Sequence, residues 1–158
     1  MRRLRFALPK YRAQRQIVIQ KLLEKLLILK GRTIALLGVA FKPNTDDLRD
    51  APSLQITERL LQMGARVKIY DPVAMPTCHA QNPGLKIQHC ESARGAVTGA
   101  HAAVLVTEWD EFRRLDLCQV AGLLYDPETA RAAGLDYSGI GARSLRARSQ
   151  LLSSAVGR

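Results

Sequence analysis

Residues 33–40 read TIALLGVA, an almost unbroken apolar run that opens on a β-branched residue. A half-exposed strand alternates polar and apolar side chains, so a run without alternation has to be covered on both faces, as in the interior of a parallel sheet. Parallel strands need crossover connections, and the downstream sequence supplies them. After the polar loop KPNTDDLRD, Pro52 suits the first turn of a helix, SLQITERLLQM forms its body and Gly64 stops it. RVKIYDP then reads as a strand, with Val67 and Ile69 alternating until Pro72. A loop, VAMPTCHAQNPGLKIQHC, leads to a weakly helical ESARGAVTGA, a third strand AAVLV, the loop TEWDEF and a helix through RRLDLCQVAGLL. Strand and helix alternating in this order predict right-handed crossovers and an open, doubly wound, mostly parallel α/β sheet.

In such sheets ligands bind outside the carboxyl ends of the strands. Three loops fall on that edge: the one from Phe41 to Asp50, the one opening at Asp71, and TEWDEF from Thr107. A dinucleotide fingerprint at the first of these needs glycines for the tight turn, for close approach to the pyrophosphate and for helix packing. Here Gly38 stands alone, followed by Val39 and Ala40, and the helix opens only at Pro52. An autonomous NAD site is therefore not expected. The loop offers Lys42 and Arg49 as cations, with Asn44, Thr45, Asp46 and Asp47 able to cap turns or accept hydroxyl protons. That chemistry suits the phosphate and ribose of a ligand.

The chain has 158 residues, enough for one domain with a core. Its net charge of +10 invites a nucleic-acid or membrane reading until the distribution is examined. Residues 1–30 carry nine Lys or Arg against Glu24, and residues 142–158 carry four Arg and no acid, so residues 31–141 are mildly acidic, at −2. Between Tyr11 and Leu29, apolar Ile19, Leu22, Leu23, Leu26 and Leu27 recur at helical spacing, predicting an amphipathic helix closed by Gly31. The expected organisation is a basic helical arm over 1–30, the sheet domain over 31–141, and a disordered Arg-rich tail over 142–158. Cys78, Cys90 and Cys118 form no CxxC pair and follow no secretory signal, which fits a reducing cytoplasm. No apolar run approaches the ~20 residues of a membrane span.

GRTIALLGVAFKPNTDDLRDAPSLQITERLLQMGARVKIYDPVAM, followed by VLVTEWDEFRRLDL and YDPETARAAGLDYSGIG, resembles the C-terminal, UDP-binding, Rossmann-like domain of the UDP-glucose dehydrogenase family. The resemblance is dense over 29–75 and again over 102–141, and the Phe-Lys pair followed by T-D-D-x-R and a proline is its most specific part. It implies a protein that takes part in NAD-dependent oxidation of UDP-glucose to UDP-glucuronate. By the same resemblance, Phe41 and Lys42 contact the UDP-sugar, and Arg49 reaches an NAD bound mainly by another domain. In relatives that domain precedes this one, and a cysteine thiohemiacetal carries the second oxidation.

The sequence departs from the family in two places. It contains nothing like the Gly-rich G-F-G-G-S-C-F-P-K-D stretch around the nucleophile, nor a G-x-G-x-x-G, so none of the three cysteines inherits catalysis and the isolated chain is expected to be inactive. A strand ending in D-G-R-N, usual before YDPE in relatives, is also missing: VAGLL runs directly into Tyr125. Its loss predicts an exposed sheet edge that invites association, with another copy or with a chain carrying the cofactor domain.

Other features have plainer explanations. Asp46 and Asp47 are expected to brace their loop rather than act as an acid–base pair, Asp71 to make the turn before Pro72, and Trp109 to pack. Cys78–His79 and His89–Cys90 lack the spacing of a metal site, and Cys118 reads as a small buried hydrophobe. The competing functional class is a basic module whose terminal segments bind nucleic acid or an acidic partner, recognisable by steep salt dependence.

Overall fold

A computed structural model describes the backbone of residues 4–116 and the side chains from residue 15 onward. Helix α1 (Leu4–Leu26) leads to strand β1 (Thr33–Leu37), helix α2 (Pro52–Gln62), strand β2 (Arg66–Tyr70) and helix α3 (Met75–Gln81). Strand β3 (Gln88–His89), helix α4 (Ala93–Val97), strand β4 (Ala102–Leu105) and helix α5 (Asp110–Arg113) complete the order among the described residues. The four strands form one parallel sheet in the order β3-β2-β1-β4. The fold is the expected Rossmann-like α/β sheet.

The apolar run behaves as its lack of alternation requires. Residues 34–37 are at most 4% exposed, because β1 pairs with β2 on one side and β4 on the other. On α2, Ser53, Ile56, Thr57 and Leu60 are buried, the i, i+3, i+4, i+7 stripe of a helix lying against a sheet. Pro52 occupies its first turn, where a missing N–H costs nothing. On β2, Val67 and Ile69 point into the core while Arg66 is exposed.

Several boundaries differ from the sequence reading, beginning with β1, which ends at Leu37 although the apolar run continues to Ala40. Helix α1 begins at Leu4, ahead of Tyr11, and ends at Leu26, short of Gly31. Leu27 takes a left-handed φ of 62°, rare for a leucine, and the chain reverses so that Leu29 enters the core at 2% exposure. The long loop after β2 contains α3 and β3. Helix α3 buries only Cys78 and so leaves no apolar periodicity, and β3 has just two residues. The helix expected from Arg113 onward instead starts at Asp110, inside TEWDEF, and ends at Arg113, with Arg114 as its C-cap. Cys118, the rest of that expected helix, the D-G-R-N question and the tail over 142–158 lie outside the described residues.

Candidate functional site

The strand order reverses between β1 and β4, and that switch point is where an open α/β sheet offers its crevice. In a dinucleotide fold the turn after β1 leaves backbone N–H groups facing a pyrophosphate. Here the N–H groups of residues 38–41 all have internal acceptors. Gly38 donates to the Tyr70 carbonyl (2.8 Å) and Phe41 to the Asp47 carbonyl (2.8 Å). Val39 and Ala40 both donate to Asp71 Oδ2, at 2.8 and 3.1 Å. The carbonyls are held too: Ser53 Oγ donates to Val39 O (2.5 Å) and Thr107 Oγ1 to Ala40 O (2.6 Å).

Asp71 is the hub of this arrangement. It is 2% exposed, and five donors converge on its carboxylate. Oδ2 takes Val39 N–H, Ala40 N–H and the Trp109 indole N–H (3.0 Å), while Oδ1 takes Val73 N–H (2.9 Å) and Ala74 N–H (2.8 Å) at the entry to α3. The turn expected at Asp71 is present in the Oδ1 bonds. The Oδ2 bonds, which reach residues more than thirty positions away in both directions, were not legible in the sequence. Trp109 packs as expected, buried, with its polar edge satisfied by Asp71.

The crevice itself is closed by contact. Gly38 has φ 93°, and a Cβ there would lie 2.5 Å from Thr107 Cβ and 2.6 Å from Thr107 N, so the turn after β1 and the segment after β4 touch through backbone. Outside this contact the loops form an exposed rim. The rim carries the residues singled out from the sequence. Phe41 is 41% exposed and Lys42 is exposed, and no described residue forms a hydrogen bond or salt bridge with the Lys42 ammonium.

Arg49 stands further along the same loop, its side chain 88% exposed, and is held by a two-pronged pair with Asp47 (Nε–Oδ1 3.0 Å, Nη2–Oδ2 2.8 Å). The hydrogen bonds from the Arg49 side chain and then its backbone N–H pull the Asp47 carboxyl down to about 2. An exposed pair of this kind adds little stability; it orients the guanidinium. Asp46 accepts from Thr77 Oγ1 (3.0 Å) and so ties the loop to α3; Val73, just before that helix, is 49% exposed. Asp46 and Asp47 therefore both brace, in keeping with their sequence reading.

Other reactive groups take no part in this rim. Cys78 is fully buried, and burial followed by the Asp71 charge pushes its thiol up. Burial also raises the Cys90 thiol. His79 and His89 meet edge to face at 5.0 Å, and among the described residues no three His, Cys, Asp or Glu side chains converge as a metal site. Tyr70 donates to Glu111 (3.1 Å), and burial, then that bond, raises its hydroxyl to about 12. A cavity of about 430 Å³ opens at the amino end of β2, between Leu61, Arg66 and Leu85, on the edge opposite these loops. Arg66 there already donates to the Gly31 carbonyl (3.0 Å).

Fold and rim together define a Rossmann-like α/β domain in which the turn after β1 has its N–H groups held internally. Residues 35–133 match the UDP-glucose/GDP-mannose dehydrogenase family, UDP binding domain, and the chain belongs to that family. It is 38% identical over 144 residues to UDP-glucose 6-dehydrogenase TuaD of Bacillus subtilis (strain 168), an alignment covering 84% of this chain and 31% of that protein. It is 43% identical over 127 residues to a UDP-glucose 6-dehydrogenase of Pseudomonas aeruginosa, covering 71% of this chain and 28% of that one. The solved structure of a UDP-glucose dehydrogenase from the hyperthermophilic archaeon Pyrobaculum islandicum superposes with a TM-score of 0.63 at 33% identity, over 66% of this chain and 24% of that chain. The chain thus spans about a third of the length of the curated relatives it matches.

Proposed function

We propose that this chain binds the UDP portion of a UDP-sugar on the rim formed by Phe41 and Lys42, and that Arg49 reaches toward an NAD carried by a different domain. The observation that carries this reading is the sealed turn: with the N–H groups of residues 38–41 consumed internally, a phosphate has to be met by a side chain, and Lys42 is the exposed cation next to that turn. Phe41 offers an exposed apolar face beside it. The Asp47-held guanidinium of Arg49 extends from the same loop. The reaction served is the NAD-dependent oxidation of UDP-glucose to UDP-glucuronate in the cytoplasm. The chain contributes substrate contacts, and the hydride acceptor and the nucleophile come from a cofactor domain with which it associates. Cys78, buried and with its thiol raised, is unsuited to covalent catalysis. Among the described residues no helix is long and apolar enough to cross a membrane. The family match supplies no support for a nucleic-acid role.

A thermal melt followed by circular dichroism, with and without millimolar UDP, tests the reading. A ligand that binds only the folded state stabilises it by about 2.7 kcal/mol at a hundredfold excess over Kd. The expected result is a cooperative melt raised by UDP, unmoved by equal inorganic phosphate, and insensitive to UDP in Lys42→Ala. A cooperative melt that ignores UDP refutes the reading. NADH formation from UDP-glucose by the pure chain refutes its dependence on a second domain.

A further inference from the structure

We propose that Asp71 is a positioning residue for nucleotide binding: its carboxylate fixes the direction in which Phe41 and Lys42 leave the sheet. The proposal deepens the UDP reading and rests on it for its affinity test alone.

A buried aspartate just after a strand is ordinarily explained by the turn it makes, and the bonds from Val73 and Ala74 N–H to Oδ1 fit that explanation in full. They leave Oδ2 unexplained. That second oxygen gathers Val39 N–H, Ala40 N–H and the Trp109 indole, none of which belongs to α3. Two consecutive peptide N–H groups converging on one atom fix both peptide planes, and so the path of the chain at the next residue, Phe41. The Trp109 bond adds the segment after β4, so one carboxylate underlies all three loops of the carboxyl edge. Ser53 and Thr107 hold the other side of the same turn by its carbonyls.

The location adds a second point. Asp71 directly follows β2, where dinucleotide-binding sheets place the acid that takes a ribose hydroxyl. With five internal donors on two oxygens and 2% exposure, this carboxylate has no capacity left for a ligand hydroxyl. The group in the ribose-reading position acts on the ligand only through the loop it holds, and the ligand's ribose is recognised elsewhere.

The experiment compares Asp71→Ala with Leu60→Ala in the full 158-residue chain. Leu60 is fully buried on α2 and makes no contact with the rim by hydrogen bond, so its truncation destabilises the fold without touching the turn. Both are measured at a temperature where their melts show the folded state. Amide hydrogen exchange is expected to accelerate about tenfold or more at Val39, Ala40 and Phe41 in Asp71→Ala, relative to β1, and to rise evenly in Leu60→Ala. UDP affinity by titration calorimetry is expected to fall about tenfold or more in Asp71→Ala and to stay within about twofold in Leu60→Ala. Equal affinity in wild type and Asp71→Ala, or equal losses in both variants, overturns the proposal.

If Asp71→Ala gives no cooperative melt, Asp71→Asn replaces it. Its single carbonyl oxygen can serve the Val39–Ala40 donors or the Val73–Ala74 donors, and exchange shows which. UDP affinity must then follow protection at Val39 and Ala40; affinity that follows Val73 and Ala74 instead overturns the proposal. Should wild type fail to bind UDP, the functional reading falls. Exchange still decides the positioning role, which unchanged protection at residues 39–41 would remove.

Discussion

Replacing Gly38 by alanine isolates the contact that seals the crevice. Two costs add at this position. A side chain at φ 93° is held in the left-handed half of conformational space, which costs about 1–2 kcal/mol. The new Cβ also meets Thr107 Cβ at 2.5 Å, Thr107 N at 2.6 Å and Thr107 Cα at 2.9 Å, where carbon atoms prefer about 3.5–4.0 Å. Thr107 cannot retreat freely, because it is buried and its hydroxyl is bonded to the Ala40 carbonyl. Overpacking of this sort costs about 1–3 kcal/mol, for a total of about 2–5 kcal/mol. Gly31→Ala is the control: φ is 75°, yet nothing lies within 4 Å of the added Cβ, so only the conformational part of about 1–2 kcal/mol applies. Urea denaturation of the two variants and wild type reads the difference. Gly38→Ala should be the less stable by about 1–3 kcal/mol, with an unchanged m-value. Equal stabilities would show that the turn and the segment after β4 do not meet through backbone and that the crevice is not closed by contact.

Ser53→Ala and Thr107→Val each strip a buried carbonyl of the turn of its donor, and each should cost about 1–3 kcal/mol in denaturant melts. Because both act on one turn, the double variant should fall short of or exceed the sum, and strict additivity would show that the two bonds do not share it. Acid should weaken the fold through His101, whose Nδ1 accepts Thr33 N–H (3.0 Å) and which burial, then the Arg32 and Arg66 charges, holds below its usual value. A depressed folded pKa means that the unfolded chain binds the proton first, so this stability is whole above about 6.5 and is lost as pH falls below it. His89, lowered by burial and then by His79, acts in the same direction. His101→Asn should shrink the drop in Tm between pH 7 and pH 5, and an unchanged drop would count against the assignment.

What the sequence revealed follows from which forces leave a local trace. Burial on two faces suppresses alternation, so β1 was readable; a helix against a sheet repeats its apolar stripe, so α2 was readable from Ser53 to Leu60. Phe41, Lys42 and Arg49 sit in one exposed loop between those elements, as the polar composition of that loop led one to expect. Helix α3 escaped because a seven-residue helix that buries one cysteine has no periodicity to detect. The Asp47–Arg49 pair left only a two-residue spacing, which many loops contain. Asp71 escaped for a deeper reason. Two of the donors to its Oδ2 are backbone amides, identical in every residue but proline, and the third is an indole 38 positions away. Only the folded chain brings them to one oxygen.

On the proposed function, a sheet of the dinucleotide-binding type holds less than a dinucleotide because the amides of its first turn are already taken. A backbone N–H can serve a phosphate only if nothing else holds it, because exchanging a buried internal bond for a ligand bond gains little and exposes the former acceptor. At residues 38–41 the acceptors are a strand carbonyl, a loop carbonyl and a buried carboxylate already carrying three other donors. Freeing those amides would leave the buried Asp71 carboxylate with three of its five donors. On the proposed function, phosphate recognition moves outward to a lysine, whose long side chain loses conformational freedom on binding. A ligand held by one ammonium and one aromatic face is held weakly by this chain alone. On the proposed function, firm binding comes when a second domain closes over the rim, and the stiffness that Asp71 gives the loop keeps Lys42 and Arg49 in place for that closure.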